Sequence, residues 1–238
     1  NPNIVTISDC KFTNCIVEAS STIDLINQNE NSNTVINNCE FYNCKCDDYV
    51  IRISGGIVDS DSITILFDDS ETACGGIDFG TKGFSVKNSN FIRTKSSTGS
   101  IKFAQLETKT DKVLINNCNF DSCAGTNAKC FSISLHTTDF TFSNNVVQNT
   151  IQSGSEGYIG LIDCNEKITT VLDNVSFINN VCDSNYGGGT GLKIVNTEGI
   201  TFSKCSFINN VALKSSNPRG KDYFSGDGGG IQYRFSSS

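Results

Sequence analysis

Methionine and tryptophan are absent from this 238-residue chain, proline occurs twice and histidine once. So little proline excludes a fold of Pro-bent loops and suits continuous β-structure, as does the abundance of Asn, Ser, Thr and Ile. The lone histidine, His136, reads as a surface or core residue rather than a catalyst. Basic residues are also short: 18 Lys and Arg face 25 Asp and Glu, a net charge of −7. That balance disfavours nucleic acid and anionic membranes as partners, because both demand a basic footprint. No apolar run approaches the roughly 20 residues that span a bilayer, and no signal-peptide pattern is visible. No Cys-x-x-Cys occurs and Cys44-x-Cys46 is poor zinc spacing, so no metal centre is expected. With no Met and an Asn1-Pro2 start, the sequence reads as a processed form or as a piece of a longer array.

What the chain does have is a recurring phrase. It reads VTISDCKF at 5–12, TVINNCEF at 34–41, FSVKNSNF at 84–91, VLINNCNF at 113–120, FTFSNNVV at 140–147, TVLDNVSF at 170–177 and ITFSKCSF at 200–207. The closing aromatics Phe12, Phe41, Phe91, Phe120, Phe177 and Phe207, with Val147 once, recur about every 28 residues, with one double step. A period of that length with strand-like content marks a stacked solenoid.

Each phrase opens with period-2 alternation, such as Val5/Ile7 or Val113/Ile115, which is a strand with one buried face. The buried parity then slips by one residue, so the chain turns a corner. The corner residues are Asp9, Asn38, Asn88, Asn117, Asn144, Asn174 and Lys204, and Asn tolerates the left-handed backbone a tight corner needs. Stacked amides at one register also form hydrogen-bonded ladders. After a second short strand bearing the Phe, another polar corner follows at Asn14, Asn43, Arg93, Ser122, Asn149, Asn179 and Asn209. A third strand comes next: Ile23-Asp24-Leu25, Ile51-Arg52-Ile53, Ile77-Asp78-Phe79, Ile101-Lys102-Phe103, Phe131-Ser132-Ile133, Ile159-Gly160-Leu161, Leu192-Lys193-Ile194 and Ile231-Gln232-Tyr233. In the degenerate copy, Ile63-Thr64-Ile65 is assigned as the missing first strand. The expected fold is all-β: a right-handed, single-stranded parallel β-helix of about eight three-sided turns, one domain over residues 1–238.

The phrase is best preserved in Ile200-Thr201-Phe202-Ser203-Lys204-Cys205-Ser206-Phe207-Ile208-Asn209-Asn210 with Gly228-Gly229-Gly230-Ile231, and again in Val175-Ser176-Phe177-Ile178-Asn179-Asn180. It resembles the repeat of polymorphic outer membrane proteins. The resemblance covers most of the chain through degenerate copies and implies a β-helical passenger exposed on a surface and used in adhesion.

Parallel β-helices also carry polysaccharide lyases and hydrolases, whose sites gather carboxylates with Arg, Lys, His or Ca²⁺. The acidic pairs here are Asp47-Asp48, Asp59/Asp61 and Asp68-Asp69. The last two fall in the degenerate third turn, and a local failure of pattern is where function tends to sit. Ca²⁺ at such a pair is the one cofactor the sequence offers; otherwise none is expected. The outward residue of the first strand reads Thr6, Val35, Ser85, Leu114, Thr141, Val171 and Thr201, too mixed for the flat Thr rows of ice binding.

Twelve cysteines point to oxidising surroundings. Cys10/Cys39 and Cys15/Cys44 occupy equal registers in adjacent turns and are candidate inter-turn disulfides, although side chains in register point the same way. Cys123 and Cys130 flank a corner loop and are placed to staple it. Asn174-Val175-Ser176 is a glycosylation sequon, with Asn174 the acceptor. The longest interruption, 213–229, carries a candidate binding loop of Arg219, Lys221, Tyr223 and Phe224. The expected function is a non-enzymatic, secreted or surface β-helical protein, adhesive or rod-forming. Its expected partners are itself or adjacent repeats end to end, and a host glycan or protein. The alternative is a polysaccharide-active lyase or hydrolase.

Overall fold

The computed structural model describes residues 3–18, 20–26, 31–68, 73–95, 99–104, 112–123, 125–126, 129–136, 139–154, 158–164, 169–184, 190–213 and 230–235. Arg219, Lys221, Tyr223, Phe224 and Asp69 lie outside them. The chain is an all-β parallel solenoid. The third strands stack as an eight-stranded sheet from Ile23–Ile26 through Tyr49–Ser54, Gly75–Gly80, Ile101–Ala104, Phe131–Leu135, Tyr158–Cys164 and Thr190–Thr197 to Ile231–Phe235. First and second strands belong to one 14-stranded sheet. They merge because Asn33–Tyr42 and Ile57–Leu66 run through their corner as unbroken strands. No helix long and apolar enough to cross a membrane is present among the described residues.

The corners follow from one backbone state. Asp9, Asn38, Asn88, Asn117, Asn144, Asn174 and Lys204 have φ between 49 and 55°. Asn14, Asn43, Arg93, Ser122, Asn149, Asn179 and Asn209, at the second corner, have φ between 50 and 56°. Left-handed residues reverse which face points inward, so each strand after a corner again buries its apolar side. Amide ladders follow where the neighbours permit: Asn38 Nδ2 donates to Asp9 Oδ1 at 2.6 Å, Asn117 to Asn88 at 2.7 Å, Asn174 to Asn144 at 2.8 Å and Asn209 to Asn179 at 3.2 Å.

Inside, the second strands hold one column in register: Phe12, Phe41, Ile65, Phe91, Phe120, Val147, Phe177 and Phe207. Phe12 and Phe41 stack at 4.8 Å, Phe91 and Phe120 at 5.2 Å, and Phe177 and Phe207 at 5.2 Å. Such pairs add about 1 kcal/mol beyond burial. Phe41, Phe91, Phe120 and Phe177 are buried, while Phe12 and Phe207 in the outer turns are partly so.

Three sequence assignments shift. Ile63-Thr64-Ile65 is the second strand of its turn, because Cys39 pairs with Ile63 and Phe41 with Ile65; Val58 and Ser60 occupy the first strand. Ile159 does not open a third-strand copy: Phe131 pairs with Gly160 and Ile133 with Ile162. Any side chain on Gly160 would strike the Phe131 ring, so the large residue of one turn fills the space its successor leaves. The three-sided turn also gains a fourth strand after the second corner. Ile16–Val17 pairs with Lys45–Cys46, and Gly125–Thr126, Ile151–Gly154, Val181–Ser184 and Val211–Leu213 form a four-stranded sheet.

Phe120→Ala is expected to lower unfolding free energy by about 3–5 kcal/mol. A loss below about 1 kcal/mol in denaturant titration is inconsistent with the central place of Phe120 in the column.

Candidate functional site

The degenerate third turn borders a surface groove of about 500 Å³. Three neighbouring first strands build it in register. The third turn contributes Ile57 and Asp59, the fourth Ser85, and the fifth Lys112 and Leu114. Their side chains project from the outer face, since Val58, Phe84 and Val113 are buried. Ser85 is the smallest residue of the lining, so the fourth turn is a floor between two taller walls. With strands about 4.8 Å apart, the walls stand roughly 10 Å from each other. Asn33 of the second turn extends one wall, and Lys87 stands at the far end of the floor strand.

The acidic pair Asp59/Asp61, singled out in the sequence, borders this groove. Two residues apart on a strand, both side chains face outward. Lys87 Nζ lies 3.1 Å from Asp59 and 3.8 Å from Asp61. Asp61 Oδ1 accepts from Asn88 Nδ2 at 2.8 Å and from Ser62 Oγ at 2.9 Å. Ser62 stands where other turns carry Asn, so Asn88 reaches past the corner to the carboxylate. Burial pushes the Asp61 carboxyl up, but the Asn88 and Ser62 hydrogen bonds and the Lys87 charge outweigh it and hold the group below the usual carboxylate range. Two atoms in the groove keep unused capacity: Asp59 Oδ1 and Ser85 Oγ are sealed from solvent and make no hydrogen bond within the protein. For Asp59 Oδ1 the Lys87 ion pair is the compensating charge.

The other acidic candidates lie elsewhere. Asp68 accepts from Tyr42 Oη at 2.5 Å and Asn43 Nδ2 at 2.8 Å. The Tyr42 bond first, then that of Asn43, with the Arg93 charge adding, depresses its carboxyl; the same contact raises the Tyr42 phenol. Asp47 and Asp48 are exposed, in the bend before the third strand. His136 follows Phe131–Leu135 on the third face, away from Asp59 and Asp61. Among the described residues no three His, Cys, Asp or Glu side chains converge as a metal cage. Asn174 is exposed at its corner, yet its Nδ2 is the donor to Asn144.

Sequence reasoning placed the cysteines correctly in columns and missed their work. Cys10, Cys39, Cys15, Cys44, Cys123 and Cys130 are all thiols in the structure. Cys39 Sγ donates to Ile7 O at 3.6 Å, Cys44 to Phe12 O at 3.4 Å, Cys118 to Val86 O at 3.6 Å and Cys123 to Phe91 O at 3.4 Å. Each acceptor is a carbonyl of the preceding turn. Burial raises the Cys44 thiol to about 11 and the Cys118 thiol to about 12, so both stay protonated donors at neutral pH. Asn145, Asn180 and Asn210 do the same work at equivalent positions, donating to Ile115 O, Val147 O and Phe177 O at 2.8–3.0 Å. The disulfide is Cys46–Cys74, spanning 28 residues. It brackets the degenerate turn, whose second corner holds the buried Phe67 in place of a left-handed residue.

Two further outer rows are visible. Asp24, Arg52, Asp78 and Lys102 alternate in sign along the third face, with Lys102 Nζ 3.0 Å from Asp78. Near the last turns Ile151, Val181 and Val211 form an apolar row on the fourth face, Ile151 56% exposed and Val211 46%.

No family model matches the sequence, and no curated protein does. Among solved structures the chain is similar to QnrB1, a plasmid-mediated fluoroquinolone resistance protein. Identity is 11% and the TM-score 0.20, over 87% of this chain and 92% of that one.

Replacing Cys46 and Cys74 together by Ser is expected to remove about 3–4 kcal/mol of stability, from the entropy of a loop this long. Non-reduced peptide mapping should recover the two cysteines linked, and finding both alkylated removes the staple. Acid should loosen the ladders at Asp61 and Asp68. A carboxyl depressed on folding adds stability above its unfolded pKa, and loses it as pH falls through the folded one. The loss therefore runs from about pH 4 downward. Asp68 is exposed and Asp61 partly so, so the decline is shallow. Amide protection around Asn43 and Asn88 should fall as pH drops below about 4, and an unchanged pattern contradicts the assignment.

Proposed function

We propose that this protein is a non-enzymatic β-helical protein of the secreted space or cell surface, acting in adhesion or as a structural rod. One observation carries the reading: its polar chemistry is laid out in rows rather than gathered at a point. The corner amides are spent on one another, and the thiols on backbone carbonyls. The outer faces then offer repeated charged and apolar rows, which suit contact with an extended partner. The Cys46–Cys74 disulfide supports an oxidising location. A net charge of −7 argues against nucleic acid as the partner.

End-to-end stacking belongs to the same proposal. Among the described residues Ile4–Ser8 and Lys11–Thr13 each pair on one side only, and Ile4 is 67% exposed. Unpaired strand edges of this kind accept further turns, from the same chain or from another copy.

The groove beside Asp59 and Asp61 is what favours the second reading, a polysaccharide lyase or hydrolase. Two features weigh against it. Asp61 is held ionised, the wrong direction for a general acid. Lys87 also supplies, between the two carboxylates, the charge that Ca²⁺ would bring.

A screen of polysaccharide depolymerisation with and without Ca²⁺, run beside a cell- and glycan-surface binding assay, separates the readings. Surface retention without turnover is the expected result. Reproducible chain cleavage that is lost in Asp59→Asn or Asp61→Asn replaces the adhesive reading by the enzymatic one.

A further inference from the structure

We propose that the groove over the third to fifth turns is a binding site for a neutral oligosaccharide. The proposal rests on the adhesive reading and names the chemistry of its ligand. The shape argument comes first. Ser85 forms a floor bounded by Ile57 and Asp59 on one side and Lys112 and Leu114 on the other. The walls stand roughly two strand spacings apart. That gap takes one chain of sugar rings and excludes an α-helix, which needs about 10–12 Å with its side chains.

Chemistry narrows the occupant further. Asp59 supplies an acceptor, Lys87, Lys112 and Asn33 supply donors, and Ser85 supplies both, interleaved within one depression. Hydroxyl groups are donors and acceptors at once, so adjacent hydroxyls of a sugar satisfy such a mixed lining. Ser85 Oγ makes no hydrogen bond within the protein, and a buried polar atom gains most from a ligand partner, while Asp59 Oδ1 already has the Lys87 ammonium at 3.1 Å. Ile57 and Leu114 give the ring's carbon-bound hydrogens apolar walls. The charges of Lys87 and Lys112 are matched by Asp59 and Asp61 around the same depression, so a polyanion gains no net attraction. A peptide is disfavoured for a different reason. All three groove strands are already paired on both sides, which leaves no backbone edge for strand addition.

Ser85 projects outward between Asp59 and Leu114, so a larger side chain there fills the floor. The test uses wild-type protein, Ser85→Leu, Ser85→Phe and, as a control on the third face, Asp24→Asn. Thermal melts first establish that each is folded. Calorimetric and array binding is then measured to cello-, xylo-, manno- and chito-oligosaccharides, to oligogalacturonate and to an extended-peptide library. The expected result is binding of at least one neutral oligosaccharide by wild-type and Asp24→Asn, weakened tenfold or more in both floor-filling variants. No neutral oligosaccharide bound by wild-type, preference for oligogalacturonate or peptide, or binding by Ser85→Leu and Ser85→Phe equal to that of wild-type overturns the proposal. If wild-type and the filled variants adhere equally to cell or glycan surfaces, the groove is excluded while the adhesive reading stands.

Discussion

Every turn of this molecule depends on a residue being held in the left-handed backbone region. Without it the strand would run straight on with its parity unchanged, and half of the apolar residues would face water. The left-handed state costs a residue with a Cβ some energy, least for Asn and Asp. The chain meets that cost with ladders between successive corners, as from Asn117 to Asn88 and from Asn174 to Asn144. Small inward donors also reach back from the corner to carbonyls of the preceding turn: thiols at Cys39, Cys118 and Cys205, amides at Asn145, Asn180 and Asn210. Cysteine suits this place because it is apolar enough to be buried and still carries a weak donor.

This division of labour explains what was readable in advance. The Phe column, the Asn corners and the parity slip all repeat at one period, so many weak signals add. The errors fall where the period breaks. The third turn is shorter, and Ile65 there stands in for Phe, so alignment by phrase mistook a second strand for a first. At Gly160 the bulk is supplied by Phe131 of the previous turn, and the apolar Ile159 beside it drew the register off by one. The fourth-face strands span only two to four residues, too short for alternation to show.

The groove was half legible. Asp59 and Asp61 stood out as acidic residues inside a failing repeat, but a list of acids does not reveal a depression. The depression comes from the small Ser85 lying between the larger Asp59 and Leu114 a full turn away on either side. Reading the outward positions across turns, rather than along the chain, exposes that contrast. The Cys46–Cys74 link was hidden for a related reason. Many cysteine pairs here are separated by about one turn, and separation alone does not tell which sulfurs face each other.

Because a solenoid turn touches only its neighbours, the molecule has a mechanical grain. Tension applied at its far end peels turns one at a time, each releasing on the order of 100 Å of slack chain. At Cys74 the load passes through the bond to Cys46, and the chain between them stays closed. That loop, which holds most of the degenerate turn, is thereby set apart as the stretch a pull does not lengthen.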